Sequence, residues 1–150
     1  MMISFQKLTK ALVICVAVLA IQGCASSGPL FTEMPQAQQG PKPDMARVYI
    51  YRTTIVGAAI QPDVMMNGQA IGSAVPKGFF YVDQPAGNYK ISTSTEVERS
   101  LSLSLEPGQT TFVRLGVSMG FFVGHIYPEL VENAEGRKDI AACHFTGKAL

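Results

Sequence analysis

The chain has 150 residues, of which 47% are hydrophobic and 15% charged, with a formal net charge of +1. This balance leaves no electrostatic footprint for nucleic acid. The length fits one domain that buries its own core, plus appendages.

The first element is a leader. Lys7 and Lys10 form a positive segment, and Ala11 to Ile21 form an uncharged apolar run. That run is too short to cross a bilayer as a helix, which takes about 20 residues, but it matches the ~7–15 residues of a signal-peptide core. Gly23 supplies the small residue before cleavage. With Cys24 behind it, Ile21-Gln22-Gly23-Cys24 resembles the lipobox of bacterial lipoproteins, although Gln22 departs from the commonest residue at its place. The resemblance implies cleavage before Cys24, a diacylglyceryl thioether on its sulfur and usually a third acyl chain on its amine. Two or three chains make anchoring effectively permanent, where one is marginal. Ala25 and Ser26 follow, with no Asp for inner-membrane retention. The expected location is therefore the cell envelope, at the periplasmic face of the outer membrane, with residues 1–23 as the lipoprotein signal peptide.

Removing that peptide takes two of 12 Lys+Arg and none of 11 Asp+Glu, so the mature charge is 10 − 11 = −1. Such a chain lacks the polybasic patch that draws proteins to anionic lipid. Cys15 leaves with the leader and Cys24 carries lipid. Cys143 then stands alone, without an intrachain disulfide partner.

Residues 24–45 are rich in Ser, Pro, Gln and Gly and lack periodicity, which reads as a flexible tether. A recognition segment around Leu30-Phe31 is the alternative there. From Ala46 the apolar period becomes two, the mark of strands. Arg47 to Thr54 is β-branched and aromatic on both faces and reads as a central strand. Asp63 to Met66 and Gln69 to Ser73 flank Asn67-Gly68, a pair suited to the two positive φ angles of a type I′ hairpin turn. Gly78 to Val82 is a fourth strand, followed by a turn at Gln84-Pro85-Ala86-Gly87. Tyr89, Ile91, Thr93, Thr95 and Val97 alternate with polar residues, as do Leu101, Leu103 and Leu105 with serines. Glu106-Pro107-Gly108-Gln109 turns the chain again. Thr111, Val113, Leu115 and Val117 then share one strand face, with Phe112 and Arg114 on the other. Tyr127 to Val131 is a candidate eighth strand, and Glu132 to Cys143 a short helix weakened by Gly136. The expected fold is an all-β antiparallel sandwich of about seven to eight strands, Ig-like or PEGA-like, with at most one short C-terminal helix. It spans residues 46–145, with 146–150 as a tail.

Several stretches together resemble a bacterial lipoprotein family called domain of unknown function 2846. They are Arg47 to Arg52, Asn67-Gly68 with Ile71-Gly72, Gly78-Phe79-Phe80, and Pro85 to Tyr89. Thr95-Glu96, Pro107 to Gln109 with Val113-Arg114, Met119 to Gly124, and Glu129 to Val131 follow in order. The resemblance brings no activity with it. The Pro85-Ala86-Gly87-Asn88-Tyr89 piece also looks like surface modules of the PEGA and carboxypeptidase-regulatory type, which supports the architecture alone.

Catalysis needs convergent groups of suitable pKa. The chain has two histidines, His125 and His144, and no HExxH, GxSxG, CxxC or phosphate-loop spacing. Cys143 and His144 are neighbours, and strand neighbours point to opposite faces. Glu96 and Glu98, with Asp83, are the candidate set for a hard cation, against a plain solvated strand face. Arg52 and Arg114 sit in apolar strands and need partners; Glu96 is the candidate partner of Arg52. The residues most suited to contact a partner are Phe121, Phe122 and Val123, bracketed by Gly120 and Gly124, against a core-strand reading of the same segment. These observations favour a tethered, non-enzymatic binding or structural module. It needs no catalytic residue, metal or cofactor, and its partner is an envelope protein, a glycan or a lipid. The competing class is an envelope hydrolase or metal enzyme of unrecognised type, which requires His125, His144, Cys143 or the Glu96/Glu98 face to meet in one cleft.

Overall fold

The computed structural model describes residues 27–95, 98–119 and 124–147. The segment expected to be a leader, Cys24, Glu96, and Phe121, Phe122 and Val123 lie outside the described residues. Among the described residues nine strands form two sheets: β1 Met45–Tyr51, β2 Asp63–Met66, β3 Gln69–Ser73, β4 Gly78–Pro85, β5 Gly87–Ser94, β6 Glu98–Leu105, β7 Thr110–Ser118, β8 His125–Val131 and β9 His144–Phe145. The first sheet runs β8-β7-β1-β4-β9 and the second β3-β2-β5-β6. β1 is central, as its two apolar faces require. Five of the seven strand pairings are antiparallel. The exceptions are β1 with β7 and β4 with β9, both parallel. β7 arrives from the other sheet and so need not reverse on its neighbour, and β9 returns after a helix.

Local chemistry fixes the register. Asn67 and Gly68 take φ of 49° and 81°, the paired positive values of the hairpin turn between β2 and β3. β4 passes directly into β5 through Ala86, and this corner carries the chain from one sheet to the other. Between the sheets, Ala46, Val48, Ile50, Val64, Phe80, Ile91, Val113, Leu115 and Ile126 form one core. Leu103 and Leu105 are buried, with Ser102 and Ser104 exposed, so the β6 alternation points as its sequence predicts.

The first sheet is buried on its outer face too. There Tyr49, Tyr51, Phe79 and Phe112 make a second core with Phe31, Met34, Ala37 and Ile140. Its cover is a 3-10 turn at Phe31–Glu33, helix α1 at Pro35–Gln38, and helix α2 at Asn133–Ile140. α2 is the short C-terminal helix expected over Glu132 to Cys143. The remainder of the cover corrects the tether reading. From Gly28 to Lys42 the chain is a strap bonded to the domain. Leu30 bridges His144, Phe31 N–H donates to the Cys143 carbonyl at 3.0 Å, and Lys42 N–H donates to Asp83 at 3.3 Å. Composition misleads because a few apolar residues suffice. Phe31 packs edge-on against Tyr49 and Phe79 with centroids 5.8 and 5.5 Å away, and each such contact adds ~0.5–1.5 kcal/mol beyond area burial. The C-terminal boundary moves as well: Thr146 N–H donates to the Phe79 carbonyl at 2.8 Å, so Thr146 belongs to the domain.

Candidate interaction surface

Two buried arginines organise the molecule. Arg47 pairs across β1 and β4 with Asp83, Nε to Oδ1 at 2.7 Å and Nη2 to Oδ2 at 2.8 Å. Its Nη1 donates to the Gln36 and Gln39 carbonyls, and the guanidinium lies 4.3 Å from the Tyr81 ring centroid. One side chain thus clamps the strap to the sheet. The ion pair raises the Arg47 pKa and holds the Asp83 carboxyl below its usual range. Tyr49 Oη also donates to the Ala37 carbonyl.

Arg52 follows β1 and is fully buried. It donates to four backbone carbonyls: Ile60 and Ala74 through Nη1, both at 2.8 Å, and Val56 and Gly57 through Nη2 at 2.6 and 2.9 Å. Burial lowers its pKa. The partner expected for it, Glu96, is not among the described residues. The observed acceptors are main-chain atoms, which residue-type reasoning cannot find. They fix the loop between β1 and β2 from below; Ile60 packs against the core, and the loop turns two aliphatic side chains outward.

Those side chains are Ile55 and Val56, 67% and 59% exposed. Met119, after β7, is 87% exposed. The loop rests on the base of the β7–β8 connection. A β-carbon placed on Gly57 would lie 3.6 Å from Val117 Cγ1, and one on Gly124 would lie 3.3 Å from Ile60 Cδ1. The two segments therefore share one end of the sandwich. Residues 53–62 and 115–119 contain no Asp, Glu, Lys or Arg. The contact expected from the sequence, Phe121, Phe122 and Val123, lies outside the described residues, and sequence reasoning missed Ile55 and Val56. The signal available for them was ten uncharged residues in a row after Arg52.

The titratable candidates are dispersed. His125 opens β8 and His144 lies in β9, at opposite edges of the five-stranded sheet. Four strand spacings of ~4.8 Å separate those edges, roughly 19 Å. His125 Nδ1 lies 3.1 Å from Thr95 Oγ1, while His144 Nδ1 donates to the Gly28 carbonyl at 2.7 Å. Cys143 is buried, which pushes its thiol up to about 11, away from the thiolate form. Asp83 is committed to Arg47, and Glu98 to Lys90 at 2.6 Å. Arg114 joins Glu129 at 2.6 Å, Glu135 at 2.8 Å and Asp139 at 3.0 Å, tying β7 and β8 to α2. Among the described residues no group of three His, Cys, Asp or Glu side chains converges as metal ligands. Among the same residues no helix is long and apolar enough to cross a membrane.

The class defined by these features is a small all-β domain of two packed sheets, strapped on one outer face, with an uncharged loop exposing Ile55 and Val56. Comparison with known proteins places it further: the chain belongs to the family described as protein of unknown function DUF2846, which matches residues 42–126. It is 35% identical over 141 residues to an uncharacterized protein of Haemophilus influenzae, covering 91% of this chain and 83% of that protein. No solved structure matches.

Proposed function

We propose that the chain is a lipid-anchored envelope protein, held through Cys24 at the periplasmic face of the outer membrane, whose sandwich domain is a non-enzymatic binding module. The observation that carries the binding part is the exposure of Ile55 and Val56, on an uncharged loop fixed by the buried Arg52, beside the exposed Met119 after β7. Singly exposed aliphatic residues are ordinary on protein surfaces. Three of them on two abutting loops without a charge form a contact surface. The commitment of Asp83, Glu98 and Glu129 to ion pairs, with the two histidines on opposite edges, supports a binding role over hydrolysis or metal catalysis.

The anchor rests on the Lys7/Lys10 segment, the short apolar run and Ile21-Gln22-Gly23-Cys24. Mass spectrometry of the mature N-terminus tests it. The expected product begins at an acylated Cys24, and Cys24→Ser abolishes both cleavage and lipid. A Cys24→Ser protein cleaved at the same bond and still membrane-bound sinks the anchor. For the binding surface, photocrosslinking in cells from positions 55 and 119 is expected to capture a molecule other than the chain itself.

A further inference from the structure

We infer that the free edge of β4, from Phe80 to Pro85, takes an extended segment of another protein as an added strand. The inference gives the binding module a second surface, and it rests neither on the Ile55/Val56 loop nor on lipidation of Cys24.

Main-chain hydrogen bonding is uneven along β4. On one side the strand pairs with β1 from Phe79 to Pro85. On the other side β9 reaches only Gly78 and Phe79. Arg52 N–H donates to the Gly78 carbonyl and Thr146 N–H to the Phe79 carbonyl, which fixes the alternation. Gly78, Phe80 and Val82 turn their main-chain groups toward β1, so Tyr81 and Asp83 turn theirs away. Among the described residues no main-chain group pairs with Tyr81 or Asp83 on that side. The N–H and C=O of both residues therefore stand in line, at the spacing that another extended backbone matches.

An added strand sends alternate side chains to the two faces of the sheet, and both faces are hollow at this edge. On the inner face a cavity of about 520 Å³ opens between β3 and β4, bordered by Ala70, Ile71, Gly72, Phe80 and Val82. None of the residues lining it is charged. On the outer face a cavity of about 620 Å³ lies between β4 and the strap, bordered by Gln36, Gln39, Lys42, Tyr81 and Asp83. Arg47 and Asp83 are paired within it, and Lys42 is exposed. Tyr81 and Val82 border both cavities, so the two hollows stand back to back across one edge. Lys77 precedes β4, at the end where His144 of β9 already bonds its carbonyl. The fitting segment has apolar residues at alternate positions, facing Ile71, Phe80 and Val82. Between them it has polar or acidic residues, beside Gln36, Gln39 and Lys42.

The walls select a single chain as the occupant. β3 stands on one side of the edge and the strap on the other. A second copy of the sandwich would bring a whole sheet and its covering layer against those walls, whereas one extended chain needs only ~5 Å beside β4. The uncovered stretch from Phe80 to Pro85 offers it roughly 17 Å of edge.

The test pans phage-displayed random peptides against the full chain in detergent and follows one enriched sequence as a synthetic peptide. Enriched sequences are expected to alternate apolar and polar residues. Binding of the peptide is expected to slow amide exchange at Tyr81 and Asp83 at least about tenfold, with Phe80 and Val82, already bonded to β1, unchanged. N-methylation at every second peptide amide is expected to weaken binding about tenfold, and at the amides between to leave it unchanged. Ala70→Glu, at a residue exposed in the free protein, is expected to weaken binding, and Ser104→Glu on β6 to leave it unchanged. Absence of enrichment, or binding indifferent to N-methylation, overturns the strand addition. Protection of Tyr81 and Asp83 without peptide that grows with protein concentration assigns the edge to a second copy. Protection without peptide that disappears when residues 148–150 are deleted assigns it to the chain's own end. Both of these results overturn the inference as well. All of them leave the Ile55/Val56 contact standing, which photocrosslinking from 55 and 119 tests separately.

Discussion

Arg47 and Arg52 show how a buried guanidinium is made acceptable by two different acceptor sets. Arg47 has a carboxylate, and both side chains of the pair are only 7% exposed. Arg47→Ala leaves Asp83 as a buried unpaired charge and frees the Gln36 and Gln39 carbonyls, so denaturant unfolding is expected to show a loss of ~3–5 kcal/mol. The same pair sets an acid limb. Because Asp83 is held below its ordinary value in the folded protein, the unfolded chain binds the proton first as pH falls. The contribution is whole above the ordinary carboxylate pKa of about 4 and is lost as pH drops below it, through the folded value. Asp83→Asn is expected to give lower stability at neutral pH and a flatter stability curve below about pH 4; an unchanged acid slope contradicts this. Arg52 has only carbonyls among the described residues. Arg52→Met takes the donor from one buried and three part-buried carbonyls, and at ~1–3 kcal/mol for a buried unsatisfied group the loss is expected to be at least ~1–3 kcal/mol. Amide exchange at Val56 to Ile60 should accelerate more than exchange in β1.

At the scale of elements, the strands were legible and the strap was not. The Asn67-Gly68 turn, the Ser/Leu alternation of β6 and the doubly apolar β1 each carry a local physical signature, and each stands where that signature puts it. The two apolar faces of β1 also held a message about layers: Val48 and Ile50 point into the sandwich, so Tyr49 and Tyr51 require a cover of their own. The cover comes from residues whose composition resembles a linker, and only tertiary contacts distinguish Phe31, Met34 and Ala37 from linker residues. Gly136 misleads in the opposite direction. It lowers helix propensity, but a β-carbon there would stand 2.4 Å from Phe112 Cγ, so the glycine lets α2 lie close on the sheet. Gly136→Ala gains up to ~1 kcal/mol in propensity and incurs ~1–3 kcal/mol of overpacking. Calorimetry is expected to show a net fall in the melting temperature; a rise contradicts the close packing.

At the scale of the whole molecule, the strap bears on the anchor proposed at Cys24. A free tether of 22 residues would let the domain roam roughly 25 Å from the lipid. With the anchor proposed at Cys24, the four residue steps to Gly28 span at most ~14 Å. The contact expected at Phe121, Phe122 and Val123 lies outside the described residues, and the loop after Arg52 escaped because its acceptors are main-chain atoms. The structural basis of this account is that the strap from Gly28 to Lys42 is bonded to the fold and covers its outer face through Phe31, Met34 and Ala37. Hydrogen exchange read by mass spectrometry on the membrane-bound protein tests it most directly. Peptides covering Phe31 to Ala37 and Lys42 to Met45 are predicted to exchange slowly, and Arg47→Ala is predicted to release them before β1 opens. Exchange of these peptides at the rate of an unstructured chain in the unmutated protein would contradict the strap.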